Sequence, residues 1–270
     1  MAVALITGAS SGIGEEFARQ LAPTHDLVLV ARDVDRLRQL ADQLSTAHGT
    51  RVDVLGADVS TRAGRTPVLD RLTDPEHPVD LLVNNAGMGY ATGATQNPVD
   101  DEMYMLEVNA VAKVHLSLTA VQAMLARGSG GVINVSSVCG IAPAWVDSLY
   151  GTSTATVLRH TEEMAYSKAL RASDVKVMAL CPGDVRTEFN DRAGIPDKTD
   201  WGWVDVTVLV RTALADLRKG KVVSIPTARY KFLSALMKLA PNSWSKLYGY
   251  DLGRQHPEIP AAVPQPAARP

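Results

Sequence analysis

Short runs of β-branched and aliphatic residues recur along the chain at 3–7, 27–31, 52–55, 79–83, 132–135, 175–180 and 222–225. Between them, apolar positions fall at three- and four-residue spacing over 13–21, 35–47, 67–72, 100–126, 148–172 and 204–217. The first set reads as strands and the second as helices, because side chains repeat every 2 residues along a strand and about every 3.6 along a helix. The strands are nearly continuous hydrophobics instead of in/out alternations, as expected of parallel strands covered by helices on both faces. With no internal repeat, this alternation predicts an α/β fold: a doubly wound parallel sheet of about seven strands in a single domain, residues 1–226. Beyond it, Phe232, Leu233, Leu236 and Leu239 stand at helical spacing among Lys231, Lys238 and Lys246, so a helical extension is expected over 227–254. Residues 255–270 are mostly Pro and Ala and predict a flexible tail.

Composition narrows the function classes. Of 270 residues, 46% are hydrophobic and 21% charged, and 27 basic against 29 acidic residues leave a net charge of -2. A polyanion such as nucleic acid is therefore an unexpected main partner, and a small or neutral ligand the better expectation. No apolar run approaches the roughly 18 to 20 residues of a membrane span, and Met1 leads straight into a strand without a basic leader, so a soluble cytoplasmic protein is expected. Cys139 and Cys181 are too few for a disulfide framework and lack the paired spacing of a zinc site; free thiols and no metal are expected.

Chemistry enters at Thr7-Gly8-Ala9-Ser10-Ser11-Gly12-Ile13-Gly14, between the first strand and the first helix. Glycines there allow a tight turn and close backbone approach to a pyrophosphate, while the helix N-terminus offers free N–H groups to an anion. The same residues would also serve a plain strand-to-helix turn; the position between the first strand and helix favours Gly8, Gly12 and Gly14 as a dinucleotide site. The second strand ends Ala31-Arg32-Asp33. Ala31 stands where an acid would reject a ribose 2'-phosphate, and Arg32 is placed to pair with one, so NADP(H) is favoured over NAD(H), with Asp33 a possible partner for Arg32 instead.

Further markers follow in order: Asp58-Val59 after the third strand, Asn84-Asn85-Ala86-Gly87 after the fourth, Asn109 in the long helix, Ser136-Ser137 after the fifth, Tyr150 at the next helix start, and Pro182-Gly183 with Thr187 after the sixth. With the glycine turn, this set resembles the short-chain dehydrogenase/reductase superfamily over about residues 2–225. The resemblance implies a Rossmann-type sheet, hydride transfer between a nicotinamide and a carbonyl or secondary alcohol, and binding along the carboxyl ends of the strands. It implies that Gly8, Ser10, Ser11, Gly12, Ile13 and Gly14 hold the pyrophosphate, that Asp58 and Val59 bracket the adenine, and that Asn85, Ala86 and Gly87 lie against the cofactor. Pro182 and Gly183 would lead the chain past the nicotinamide, with Val185 and Thr187 near its carboxamide. Read without the resemblance, Asp58 could cap a helix, and Asn84 and Asn85 could hold a turn.

Tyr150 lies thirteen residues after Ser137, the family spacing, which implies Tyr150 as general acid or base and Ser137 as the group that orients the substrate oxygen. Ser136 is the less suited partner. The family places a lysine four residues after this tyrosine to lower its pKa, and here that position is Thr154. Lys168 lies eighteen residues beyond Tyr150, about 27 Å along a helix and too far, while Arg159 and Lys113 lack the spacing and read as solvated or inter-helix charges. Asn109 would hold a water in a relay that normally ends on the lysine, so the relay here is interrupted or rerouted. Two function classes stay open: an NADP(H)-dependent oxidoreductase altered at Thr154, and a non-catalytic NADP(H)-binding protein acting as sensor or scaffold.

Residues 188–203, with Phe189, Trp201 and Trp203, are expected to form the substrate loop, and 138–149, with Pro143 and Trp145, its opposite wall. These aromatics point to an apolar carbonyl or alcohol, although the tryptophans could equally pack the following helix. The apolar positions Val111, Val114, Leu118, Val121 and Leu125 suggest helix pairing in a homodimer or homotetramer. For 229–250, core packing is expected ahead of a contact with a membrane surface.

Overall fold

A computed structural model of the chain describes residues 1–141, 148–194 and 203–239. Seven strands, β1 (Ala2–Thr7), β2 (His25–Ala31), β3 (Val52–Gly56), β4 (Leu81–Asn84), β5 (Gly131–Val135), β6 (Lys176–Leu180) and β7 (Val223–Ser224), form one sheet in the order β3-β2-β1-β4-β5-β6-β7, with every pair parallel. The expected doubly wound α/β fold is present.

Alternate strand residues feed two cores. Ala4, Ile6, Ile133 and Met178 face one layer with Phe17 and Leu21 of α1 (Gly12–Leu21), Leu37 and Leu40 of α2 (Val34–His48), and Leu209 and Ala213 of α9 (Val206–Arg218). Leu5, Val28, Leu82, Val132 and Val177 face the other, with Val68 of α3 (Arg62–Thr73) and Leu116, Ala120 and Met124 of α5 (Lys113–Arg127). Each fully buried leucine or phenylalanine contributes about 1.5–3 kcal/mol relative to exposure, which explains why the strand runs lack polar alternation. Caps fix the helix starts: Asp33 accepts from Arg36 N–H, Thr61 from Gly64 N–H and Asp205 from Val208 N–H.

Several boundaries differ from the sequence reading. The long helix expected over 100–126 is α4 (Val99–Leu106), a wide π turn (Glu107–Ala112) and α5, so one extra residue is accommodated around Asn109. The apolar period runs on through this turn and leaves no sequence mark. The helix expected over 148–172 is α6 (Leu149–Ala165) followed by the short α7 (Lys168–Arg171), where the Ser167 hydroxyl accepts from Leu170 N–H and restarts the helix. Within the expected substrate loop, Glu188–Ala193 forms α8, capped by Thr187. The last strand shrinks to Val223–Ser224, and α10 (Ala228–Leu239) follows it. Pro143, Trp145, Trp201, the rest of the extension from 240, and the tail 255–270 lie outside the described residues.

Among the described residues, Val99–Arg127 is the one helical run long and apolar enough to cross a membrane, counter to the expectation that none approaches that length; 56% of its most apolar window is buried within the protein, as in a core helix. The proposed pairing stripe is divided: Val111 and Leu118 are each 41% exposed, whereas Val121 is buried in the core.

Candidate active site

The segments singled out in the sequence all follow strand ends: 8–14 after β1, 58–59 after β3, 85–87 after β4, 136–137 after β5 and 182–187 after β6. Parallel strands bring those ends to one edge of the sheet, where an open α/β fold leaves a crevice.

The glycine turn is knitted to the loop after β4. Gly8 sits at φ 67 and Gly12 at φ 58, in the left-handed region. The Thr7 hydroxyl accepts from the Asn85 and Ala86 amides at 2.9 and 3.0 Å, and Asn85 Nδ2 donates to the Thr7 and Gly8 carbonyls at 3.0 and 3.3 Å. Gly14 is closed in so tightly that a side chain there would overlap the Gly8 carbonyl and come within 2.6 Å of Asn85 Nδ2. Asn85 therefore holds the turn, the plainer of its two readings. Ser11 precedes α1 without capping it by its side chain, which leaves the first-turn amides of that helix, including Ile13, facing the turn. Ser10 lies half-buried beside them.

At the end of β2, Arg32 Nη1 donates to the Tyr104 hydroxyl at 3.0 Å, while Asp33 caps α2 and does not pair with Arg32. Asp58 accepts from Ser60 N–H at 2.9 Å in a local turn, and Thr61, not Asp58, caps α3. Val59 is buried in the second core layer. Across the glycine turn, Arg36 makes a bidentate pair with Glu188 at 2.7 and 2.8 Å, and Arg192 reaches both Glu188 at 2.9 Å and the Ser11 hydroxyl at 2.6 Å. The two guanidinium groups pull the Glu188 carboxyl down to about 2. Thr187 packs against Gly12, where a side chain would begin 3.1 Å from its Cβ. Thus α8 is fastened over the first turn of α1.

On the catalytic wall the two adjacent serines separate. Ser136 donates to the Thr154 carbonyl at 2.8 Å and belongs to the α6 packing. Ser137, buried, hydrogen-bonds the Tyr150 side chain and accepts from Cys139 N–H at 3.2 Å. Burial pushes the Tyr150 phenol well above its ordinary pKa, only partly offset by Ser137, so the group carries its proton. Phe189 stands 6.0 Å from Tyr150 between ring centroids, and Gly89 leaves room for both: a side chain there would meet Phe189 at 3.0 Å and Tyr150 at 3.6 Å.

Thr154 is 3% exposed, and its hydroxyl bonds back to the Tyr150 and Gly151 carbonyls at 2.8 and 3.1 Å. Asn109 clasps the loop after β4, accepting from Met88 N–H at 2.9 Å and donating to the Met88 carbonyl at 2.7 Å. Lys113 corrects the sequence reading: it is not solvated but 5% exposed, and its ammonium donates to the Val135 carbonyl at 2.5 Å. Burial lowers its pKa to about 7. Its signal lay in the sequence as a lone charge inside the apolar run from Val108 to Met124, one helical turn after Asn109.

After β6, the Val138 amide donates to the Pro182 carbonyl at 3.0 Å, and Val185 bridges to Val204. Tyr230 of α10, buried, lies flat over Gly183, where any side chain would overlap its ring, and its hydroxyl takes the Asp184 amide at 3.1 Å. Nothing in the local pattern at 228–239 announces that contact, which is made across more than forty residues of chain. Arg186 stacks over Trp203 at 5.2 Å. No group of acidic, histidine or cysteine side chains suited to a metal occurs among the described residues.

Comparison with known proteins bears on the family and the fold. The sequence profile of the family described as short chain dehydrogenase matches residues 2–196. An uncharacterized oxidoreductase of Staphylococcus epidermidis is 33% identical over 190 residues, covering 70% of this chain and 80% of that protein. Among solved structures, a short-chain dehydrogenase from Sphingobium yanoikuyae in complex with NADPH superposes with a TM-score of 0.79 at 33% identity, covering 98% of this chain and 99% of the other. A bulky-bulky ketone specific alcohol dehydrogenase from Comamonas testosteroni gives 0.75 at 28% identity, covering 100% and 97%.

Proposed function

Since the chain belongs to the short chain dehydrogenase family of oxidoreductases, we propose that it transfers hydride between NADP(H) and a bulky, apolar ketone or secondary alcohol, with Tyr150 as general acid/base and Ser137 orienting the substrate oxygen. The observation that carries this reading is the division of labour between the serines: Ser136 is spent on α6, which leaves the buried Ser137 on the Tyr150 phenol.

The residues fit a dinucleotide. Gly8 and Gly12 turn the chain at positive φ, Gly14 keeps the backbone free of side chain, and the uncapped first turn of α1 offers N–H groups to a diphosphate. Arg32, free of Asp33 and exposed at the end of β2, supports a 2'-phosphate over a 2'-hydroxyl. Bound NADP(H) supplies or takes the hydride. This chain supplies the proton: the Tyr150 phenol, held protonated by burial, donates it to a carbonyl oxygen that Ser137 aligns. Phe189 and Gly89 beside Tyr150 give the substrate an apolar wall, in keeping with the ketone specificity in the name of the Comamonas testosteroni neighbour. Exposed Val111 and Leu118 support pairing of α5 with a second copy.

The test is NADPH oxidation with a panel of aryl and branched ketones, run beside Tyr150→Phe. Turnover by the native protein and a loss of roughly 100- to 10,000-fold in the variant are expected. Dinucleotide binding without turnover, recovered in Thr154→Lys, would instead favour the non-catalytic reading.

A further inference from the structure

Lys113 is a buried ionisable group that the reaction as described leaves unused. Its ammonium has one acceptor, the Val135 carbonyl, and no carboxylate pairs with it among the described residues. Near it the neutral Asn109 on the π turn faces the same side of Gly87, while the amide of Asn84, at the end of β4, donates to the Lys113 backbone carbonyl at 2.7 Å. An unpaired buried ammonium opposes folding, and a methionine would fill the same space without that burden. Packing therefore does not explain a lysine here.

The loop after β4 opens a way to it. Gly87 is exposed, and a side chain at that position would begin 3.2 Å from Asn109 Oδ1 and 3.6 Å from Lys113 Nζ. Because Gly87 has none, no side chain of that exposed residue stands over the ammonium, beside the residue that clasps the Met88 backbone. On α6, by contrast, Thr154 turns its hydroxyl back onto its own helix and carries no charge.

We propose that Lys113 is the proton-relay residue of this site, reaching through the gap at Gly87 to supply from α5 the cation that Thr154 does not supply from α6. The proposal rests on the dehydrogenase reading. In reduction the Tyr150 O–H bond breaks as the substrate O–H bond forms; the phenolate regains a proton through water in the crevice from Lys113 Nζ, and bulk water reprotonates the amine. The pKa of about 7 lets Lys113 both give and take a proton near neutrality. The charged or ionisable groups that shift the phenol are Cys139 and Asp184; both oppose the phenolate, and no cation stands among them, which is why the proton must return to it through water.

Lys113→Met tests this in the full-length protein, with lysine side-chain NMR as a readout independent of turnover. In the native protein one lysine resonance, absent from Lys113→Met, is expected to titrate near pH 7 and to move when NADP+ is added to saturation. The variant is expected to have a higher Tm, an unchanged dinucleotide Kd, kcat at least tenfold lower with KM unchanged, and no limb near pH 7 in its kcat profile. Adding Thr154→Lys to Lys113→Met is expected to restore kcat. A resonance that ignores bound NADP+, or a variant that keeps kcat and the limb, overturns the inference while leaving the dehydrogenase reading intact. Binding of the dinucleotide with no turnover by any ketone sinks the dehydrogenase reading and the relay with it. Failure of the native protein to bind either dinucleotide sinks both.

Discussion

The glycine turn and the catalytic wall lie on the same edge of the sheet but are specified in different ways. The turn is a matter of close approach: a side chain at Gly8 or Gly14 would run into the loop after β4 or the Gly8 carbonyl, and Thr7 and Asn85 tie the two segments together. The wall is a matter of side chains from two helices, Lys113 of α5 and Tyr150 and Thr154 of α6. Steric demands fix residue identity position by position; electrostatic demands fix only the sum. One region is closed to a side chain at Gly14, and the other holds the buried Lys113 on α5 and the neutral Thr154 on α6.

Three perturbations sharpen that contrast. The largest effect belongs to the turn. Gly14→Ala puts a methyl group into the Gly8 carbonyl and beside Asn85 Nδ2, and backbone must shift to admit it. A loss of about 3 kcal/mol in stability, read by denaturant unfolding, and loss of measurable dinucleotide affinity are expected; an unchanged affinity would mean that the turn is looser than its packing. Next comes the end of β2, where a side chain, not the main chain, chooses between ligands. Arg32→Ala is expected to lower the preference for NADPH over NADH by about 2 kcal/mol, roughly thirtyfold, while leaving NADH binding unaltered, as titration by fluorescence would register.

The smallest effect concerns the fastening of α8. Glu188 titrates at about 2 instead of near 4.5, pulled down by Arg36 and Arg192. A carboxyl depressed in the folded state contributes stability at neutral pH, and that contribution fades as acidity takes it from about 4.5 down through 2. Since its side chain and those of both partners are about half exposed, the contribution is small, under about 1 kcal/mol, and weakens further in salt. Protection of the 188–193 amides, relative to their intrinsic exchange rates, is expected to fall over that pH interval with the sheet unaffected; Glu188→Gln is expected to show the lower protection already at pH 7.

How much of this was legible follows the same division. The seven strands and their parallel arrangement were legible because Leu5, Ile6, Leu82, Ile133 and Met178 are sealed on both sides and leave unbroken apolar runs. The glycine turn was legible because its glycines have no substitutes. The π turn at Glu107–Ala112 was not, since Val108, Ala112 and Leu116 keep the apolar face intact across it. Lys113 was visible as a charge but not as a buried one: burial depends on what the loop after β4 places above it, and a neighbour's missing side chain at Gly87 does not show in a helical pattern. Tyr230 was beyond reach altogether, because its partner Gly183 belongs to a different strand end.

That ring over Gly183 has a practical corollary. The backbone after β6 is anchored through Tyr230 to α10, so a change in that helix is felt at Gly183 and Asp184, on the strand-end edge that carries the glycine turn. Trimming the ring, as in Tyr230→Ala, would uncover that backbone and remove the acceptor of the Asp184 amide at one stroke.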